Sequence, residues 1–353
     1  MYYGYNADRQ QIGKSFIVFG FNTGAFDEVG STGSDAFTGD AEGNTVALGQ
    51  GDDVFSTGAG DDLVDGGAGD DRGALGDGDD TARGGAGNDL LKGDSGNDAL
   101  YGEAGNDRLL LGAGDDKAFG GDGDDLIYVR PDELNRRDVI DGGDGLRDTL
   151  VSLGADFLNL RDHGLNLDVE QVRLASGQTV AVRSKDLTLI GANGDETFRL
   201  QADDLITTNF PGGGSSTHVA TGSYKVFAGD GDDQIFASNR EDILFGQDGD
   251  DVIIGGDRSD MITGGAGLDR IRGDEGADTF IFERGFEIDI IYDFENNTDK
   301  LDVSDFGFRD FATNIAARID VVNSKTVVDL GPGDRIILIG IATDDLDASD
   351  FIV

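Results

Sequence analysis

The chain has no cysteine, no tryptophan and only 3 prolines among 353 residues, and its 27 basic residues are outnumbered by 71 acidic ones. Without cysteine there is no disulfide framework, so stability must have another source. Without a basic stripe there is no electrostatic footprint for nucleic acid. No apolar run approaches the roughly 20 residues that a membrane-spanning helix needs. The first residues also lack the pattern of a cleavable secretory leader.

Glycine and aspartate are abundant, and both follow a nine-residue repeat. Eleven consecutive copies cover 30–128 and six more cover 228–281. Clear copies read GGAGNDLLK (84–92) and GQDGDDVII (246–254). A formal charge of -44 on its own favours a solvated, disordered acidic chain. Solvation does not require a fixed period, however, and the period indicates a solenoid.

Each place in the repeat predicts a role. Glycine at the second and fourth places permits positive φ and turns backbone carbonyls inward. Asp at the sixth place supplies a carboxylate, the usually apolar eighth place fills a thin core, and the last three places form a short strand. Oxygen donors alone suit calcium, whereas zinc prefers Cys or His, and the chain has 2 His. The alternative is a metal-free solenoid with Asp as a turn former, in which stacked carboxylates would repel one another.

The candidate calcium ligands are sixth-place carboxylates and the carbonyls of turn glycines. The Asp residues are Asp35, Asp53, Asp62, Asp71, Asp80, Asp89, Asp98, Asp107, Asp116, Asp125, Asp233, Asp242, Asp251, Asp260, Asp269 and Asp278. The glycines of the first array are Gly51, Gly60, Gly67, Gly69, Gly76, Gly78, Gly85, Gly87, Gly96, Gly105, Gly112, Gly114, Gly121 and Gly123. Those of the second array are Gly229, Gly231, Gly249, Gly256, Gly265, Gly267 and Gly276.

Three copies depart from the pattern at ligand positions. Asn44 stands at a sixth place, in a repeat that also has Glu42 at the fourth place. Arg240 and Arg258 stand at fourth places and put a cation into their turns. These three sites are therefore doubtful, and the Arg240 turn is predicted to be vacant or neutralised by the arginine.

The repeats resemble the G-G-x-G-x-D-x-U-x nonapeptides of RTX (repeats-in-toxin) proteins, the hemolysin-type calcium-binding repeats. The resemblance implies parallel β-rolls in which two successive repeats make one coil and calcium, roughly ten ions in all, lies between repeats two apart. Carried over, Gly85 and Gly87 offer carbonyls, Asp89 offers its carboxylate and Asp107 joins from two repeats later. Residues 277–306 resemble the segment that closes the β-roll of type I-secreted RTX proteases.

The predicted fold class is all-β, with two calcium-loaded parallel β-rolls joined by an irregular β segment and closed by a C-terminal β cap. The predicted domains, in order, are N-terminal cap strands, the first roll, a calcium-poor β segment, the second roll, and a C-terminal cap with a type I secretion signal. Their bounds are 1–29, 30–128, 129–227, 228–281 and 282–353. The signal is predicted from the last four residues, Asp350 to Val353, which look like the uncleaved signal that ABC transporters read.

No catalytic motif accompanies the repeats. The two His, His163 and His218, cannot make the three-His zinc helix of the RTX proteases, and no GxSxG elbow is present. We therefore expect a secreted, extracellular or surface-bound bacterial protein that folds on meeting calcium and acts as a non-catalytic surface, matrix or adhesion component. Expected partners are the type I machinery and anionic polysaccharide or further copies of the chain, not nucleic acid or the membrane interior. The alternatives are a polysaccharide-acting enzyme with its site in 129–227, or a secretion and folding module of a larger cargo protein.

Overall fold

The computed structural model describes most of the chain. The described residues are 28–154, 158–160, 166–175, 178–182, 187–192, 197–200, 206–209, 215–218 and 224–353. Apart from Glu28 and Val29, the predicted N-terminal cap lies outside them, as does His163. The chain divides into two compact units, Met1–Val151 with His163–Glu170, and Ser152–Asp162 with Gln171–Val353.

The first unit is a parallel β-roll whose successive repeats alternate between two sheets. The strands of one sheet, in spatial order, are Glu28–Val29, Thr45–Gln50, Leu63–Ala68, Thr81–Ala86, Ala99–Ala104, Lys117–Asp122, Val139–Gly143 and Asn166–Asp168. Those of the other are Ala36–Thr38, Val54–Ala59, Arg72–Asp77, Leu90–Ser95, Arg108–Ala113, Leu126–Val129 and Thr149–Ser152. Within the array, each residue pairs with the one 18 positions later, as Val64 does with Ala82. Two repeats therefore make one coil, as the resemblance implies.

The second unit is built in the same way and ends in antiparallel strands. One sheet has the strands Gln171–Arg173, Leu187–Ile190, Tyr224–Asp230, Ile243–Asp248, Met261–Ala266, Thr279–Ile281, Lys300–Asp302 and Phe351–Ile352. The other has Leu158–Leu160, Thr179–Val182, Thr197–Leu200, Gln234–Phe236, Val252–Asp257, Arg270–Glu275, Ile288–Ile291, Arg335–Leu338, Lys325–Asp329 and Ile319–Val322. The last two of these run antiparallel to their neighbours and close the sheet. The all-β class and the parallel rolls are thus confirmed.

The remaining elements are short. Ile206–Asn209 and Ser215–His218 form an antiparallel pair. The helical segments are Ser304–Phe306, Phe311–Asn314, Ala316–Arg318, Thr343–Asp345 and Ala348–Asp350. Within the described ranges, none of these helices is long and apolar enough to cross a membrane.

The strands of the repeat are longer than the three residues that the sequence predicts. A typical strand such as Leu63–Ala68 has six residues, because pairing continues from the seventh place of one repeat to the third place of the next. Side chains alternate along a strand, so both the eighth place and the following first place point inward. The predicted eighth-place row is buried, and first-place Leu48, Leu75 and Leu111 form a second buried row.

The core of the first roll is filled even where its side chains are small. Gly73 occupies an eighth place and pairs with Phe55 on the neighbouring strand. A Cβ on Gly73 would lie 1.9 Å from the Phe55 ring. The ring therefore occupies the space that the missing side chain leaves, so this glycine creates no gap in the core.

Candidate metal centre

The sixth-place Asp residues form a hydrogen-bonded ladder along each roll. The backbone N–H of Asp71 donates to Asp89 Oδ1 at 2.7 Å, and that of Asp89 donates to Asp107 Oδ1 at 2.7 Å. All three side chains are buried. The structure thus brings together carboxylates from repeats two apart, and one oxygen of each accepts the N–H of the preceding coil.

The other oxygen, Oδ2, is buried and has no hydrogen-bond partner in most of these residues. Across the described part of the chain this holds for fourteen Asp side chains: Asp53, Asp62, Asp71, Asp80, Asp89, Asp98, Asp107, Asp125, Asp148, Asp251, Asp260, Asp269, Asp278 and Asp289. An ionised carboxylate buried without a partner costs several kcal/mol. Each of these carboxylates therefore needs a counter-charge if it is to stay ionised in the folded chain.

Backbone carbonyls lie beside the unpartnered oxygens. A Cβ on Gly102, at a first place, would lie 2.2 Å from Asp107 Oδ2 and 2.5 Å from the carbonyl oxygen of Gly120. A Cβ on Gly246 would lie 2.0 Å from Asp251 Oδ2 and 2.4 Å from the carbonyl oxygen of Gly264. First-place carbonyls thus share the hollow with the carboxylate, although the sequence predicted carbonyl ligands from the second and fourth places.

Second- and fourth-place glycines let successive turns stack closely. Gly85 has a φ of 108°, and a Cβ there would lie 2.0 Å from the carbonyl oxygen of Gly67. Gly267 has a φ of 140°, and its Cβ would lie 2.1 Å from the carbonyl oxygen of Gly249. A side chain at these positions would combine backbone strain with a clash against the neighbouring coil. The predicted turn glycines are therefore placed where the chain needs glycine.

Burial makes the charged form of these carboxylates unfavourable. The pKa of Asp98 is raised to about 7 and that of Asp251 to about 8, chiefly because burial removes the carboxylate from water. The backbone N–H that each accepts lowers its pKa, and neighbouring carboxylates raise it again. A cation beside Oδ2 would favour the ionised form.

The three doubtful turns differ from one another. At Asp242, Oδ2 accepts both the N–H and the hydroxyl of Ser238, at 2.9 and 2.8 Å, and Arg240 is buried nearby. This turn satisfies its carboxylate with protein groups. Near Arg258 the carboxylate of Asp260 keeps an unpartnered Oδ2, because the arginine side chain is exposed. Asn44 stays in the ladder with an unpartnered amide oxygen.

Two further predicted Asp residues lie outside the set with unpartnered oxygens. Asp35, in the first turn, accepts the N–H of Ser31 on Oδ2 at 2.6 Å. Asp116 is buried in the ladder and donates its N–H to Asp138 Oδ1 at 2.9 Å. A buried Oδ2 without a hydrogen-bond partner is therefore found at most, but not all, of the predicted Asp ligands.

Sequence reasoning missed a second ladder at the fifth place. The N–H of Asp70 donates to Asp52 Oδ1 at 3.0 Å, and the N–H of Asn88 donates to Asp70 Oδ1 at 2.8 Å. These side chains are exposed, so their free oxygens face water. The signal was the unbroken run of Asp and Asn at this place from Asp52 to Asp124.

Sequence reasoning also missed ladder members beyond the arrays. The N–H groups of Asp125 and Asp278 donate to Asp148 Oδ1 at 2.8 Å and to Asp299 Oδ1 at 3.0 Å. Within the arrays the ladder partners are 18 residues apart, whereas these lie 23 and 21 residues apart. The signal was the late Asp148 in GGDGLRDTL (142–150), which resembles a repeat with one residue inserted.

Calcium fits the oxygens that are present. Within the described ranges, no three Asp, Glu or His side chains converge as they would in a site made of side chains alone. An ion here must therefore combine carboxylates with backbone carbonyls, a mixture that suits calcium, with its six to eight oxygen ligands and tolerant geometry. The buried, unpartnered Oδ2 atoms are the positions that such an ion would neutralise.

Comparisons with known proteins are consistent with this chemistry. The model of the RTX calcium-binding nonapeptide repeat (4 copies) matches residues 38–72, 75–109, 104–130, 227–257 and 254–286. No curated protein matches the chain.

Two solved structures are similar to the chain. The extracellular lipase LipA from Serratia marcescens matches at 18% identity and a TM-score of 0.32, over 96% of this chain and 42% of the lipase. This chain therefore spans less than half the length of that enzyme. The AlgE6R3 subunit of the mannuronan C5-epimerase from Azotobacter vinelandii matches at 27% identity and a TM-score of 0.26, over 42% of this chain and 86% of that subunit.

The matched segments coincide with the coils in which buried carboxylates lack a partner. Asp71, Asp89 and Asp107 of the first roll and Asp251 and Asp269 of the second all lie within them. Sequence pattern, ladder geometry and family match thus point to the same residues, and the chain carries RTX nonapeptide repeats, which bind calcium.

Proposed function

We propose that this chain is a secreted protein that folds when it meets extracellular calcium and then acts as a non-catalytic component of a cell surface, matrix or adhesive layer. The observation that carries the proposal is the ladder of buried carboxylates with one unpartnered oxygen each. Folding brings these charges together, so the folded state depends on an ion that is scarce inside a bacterium and abundant outside.

The energies support a switch. An ion at about tenfold its Kd contributes about 1.4 kcal/mol per site, so about ten sites contribute on the order of 14 kcal/mol. That equals the whole stability of a typical domain, about 5–15 kcal/mol. Without the ion, a formal charge of -44 opposes compaction and keeps the chain extended for export by a type I transporter.

The outer surface of the first roll suits an anionic polysaccharide bridged by calcium. The exposed fifth-place carboxylates carry charge that calcium can share with a polymer. On one sheet Tyr101 and Phe119 stack with ring centroids 5.0 Å apart, and the Arg83 guanidinium lies 4.7 Å from the Tyr101 centroid. Stacked rings beside a cation offer an apolar platform for a sugar ring and a partner for its carboxylate.

The second roll carries a similar surface. Phe227 and Phe245 stack at 4.9 Å, and Lys225 Nζ lies 4.9 Å from the Phe227 centroid. The two rings line a groove of about 390 Å³ together with Arg284 and Phe286. Outward aromatic pairs flanked by cations therefore occur in both units.

We predict that the chain binds alginate, an anionic polysaccharide, in calcium but not in chelator, and does not bind neutral dextran. Replacing Tyr101 and Phe119 together by Ala should weaken alginate binding about tenfold, because the platform is lost. Val54→Ala, which trims an exposed side chain on the other sheet, is the matched control. Biolayer interferometry with immobilised protein measures each affinity. Equal binding to dextran, or no effect of the double variant, would contradict the adhesive role.

A further inference from the structure

We propose that each unit binds calcium one coil beyond its nonapeptide array, at Asp148 in the first unit and at Asp289 in the second. Both residues lie outside the regular repeats and outside the segments that match the RTX model. These two sites extend the ladder into the segment predicted to be calcium-poor, 129–227, and into the predicted C-terminal cap, 282–353.

Asp148 continues the ladder despite the inserted residue in its turn. Its side chain is 0% exposed, Oδ1 accepts the N–H of Asp125, and Oδ2 has no partner. A Cβ on Gly145 would lie 2.5 Å from Oδ2 and 2.4 Å from the carbonyl oxygen of Gly123. The unpartnered oxygen therefore points into a turn that is also lined by a carbonyl.

The connection from Asp125 to Asp148 is longer than those inside the array, but it keeps the same arrangement of carboxylate and carbonyl oxygens. A Cβ on Gly120 would lie 2.2 Å from Asp125 Oδ2 and 2.3 Å from the carbonyl oxygen of Gly142, the same arrangement as at Gly102. The N–H of Asp148 in turn donates to Glu170 Oε2 at 2.9 Å. The insertion lengthens the connection between coils while the oxygens stay in place.

Asp289 carries the same argument in the second unit. It lies in the strand Ile288–Ile291 at 0% exposure, and its Oδ1 accepts the N–H of Asp269 at 3.2 Å. Its Oδ2 has no partner, and neither has Oδ2 of Asp269. Two buried carboxylates in contact, each with an unpartnered oxygen, need a shared cation to remain ionised.

Alternate repeats of each roll form a second ladder of sixth-place Asp residues. This ladder ends at Asp138 or Asp299, and these two carboxylates differ from Asp148 and Asp289. Asp138 Oδ2 accepts the N–H of Asn135 at 2.7 Å, and Asp299 Oδ2 accepts the N–H of Glu295 at 2.7 Å. The Asn135 side-chain amide also donates to the Gly114 carbonyl and to Asp138 Oδ1. An amide therefore lies where oxygens alone meet in the array, and this end needs no ion.

Native mass spectrometry of the full chain in calcium tests the proposal by counting bound ions. Asp148→Asn and Asp289→Asn should each bind at least one calcium fewer than the unmodified chain. Asp122→Asn and Asp257→Asn, at exposed third places of the repeat, should lose none. Asn44 occupies a ladder position naturally, so asparagine is compatible with the coil.

An unchanged count in the folded D148N and D289N variants would overturn the proposal. Circular dichroism in calcium establishes whether each variant folds. If one does not, crystals of the unmodified chain grown in calcium decide: anomalous density beside Oδ2 of Asp148 and Asp289 is expected, and its absence there, with peaks present inside the arrays, would refute the two sites.

Discussion

Replacing Asp71, Asp89 and Asp107 together by Asn is expected to remove about 4 kcal/mol of calcium-dependent stability, at about 1.4 kcal/mol per site. These residues are consecutive members of one ladder, each buried with an unpartnered oxygen. Asparagine keeps an oxygen for the N–H of the preceding coil but supplies no charge to the ion. Guanidinium unfolding at a calcium concentration of about tenfold the Kd, followed by circular dichroism, gives the free energy of unfolding.

The matched control makes the same charge change on the outside of the roll. Asp52, Asp61 and Asp79 are exposed fifth-place residues, and their replacement by Asn should change the free energy of unfolding by about 0.5 kcal/mol or less. If the inner and outer triple variants lost equal stability, total charge rather than the buried ladder would govern folding.

Gly267→Ala is expected to destabilise the second roll by about 3 kcal/mol or more. The alanine would have to keep a φ of 140°, which strains a residue with a side chain. Its Cβ would also lie 2.1 Å from the carbonyl oxygen of Gly249. Relief requires the two coils to separate, which would also disturb the turn that holds Asp269. The free energy of unfolding in calcium measures the loss.

Gly285→Ala separates strain from clash. Gly285 has a φ of 90°, but a Cβ there would meet nothing within 4 Å. Its replacement should cost only the backbone strain, about 1 kcal/mol. Equal losses in the two variants would mean that the close approach of the coils contributes nothing.

The nine-residue period was sufficient to predict the coil and the ladder of sixth-place Asp residues inside it. A sixth-place Asp can only recur on one line if the repeats stack, so Asp89 and Asp107 were predicted to meet and do meet. The eighth-place core followed from the same period. First-place Leu48, Leu75 and Leu111 were missed as core because glycine dominates that place and conceals its inward direction.

The continuation of the ladder beyond the arrays could not be predicted from the nine-residue period, because its residues no longer follow that spacing. Asp138, Asp148, Asp289 and Asp299 join it after connections of 20 to 23 residues, where no 18-residue step remains. The closure of the Asp242 turn by Ser238 depends on a side-chain hydrogen bond that no repeat pattern encodes. Local hydrogen bonding, rather than periodicity, decides which turns need an ion.

Two further predictions concern the division of the chain into domains and the secretion signal at its C-terminus. The chain divides after Val151, inside the predicted middle segment. At the C-terminus Asp350 is buried and accepts the N–H groups of Asn297 and Asp347, while Phe351 pairs with Leu301. The tail thus completes a strand in the folded protein, and its reading by a type I transporter stays a prediction.

A calcium titration of the chelated chain, followed by far-UV circular dichroism with magnesium as control, tests the central claim most directly. The carboxylate ladder predicts a cooperative transition from coil to β structure near millimolar calcium and none with magnesium, which demands a stricter octahedron. A chain that is already fully folded in chelator would contradict the claim, because the buried oxygens would then need no ion.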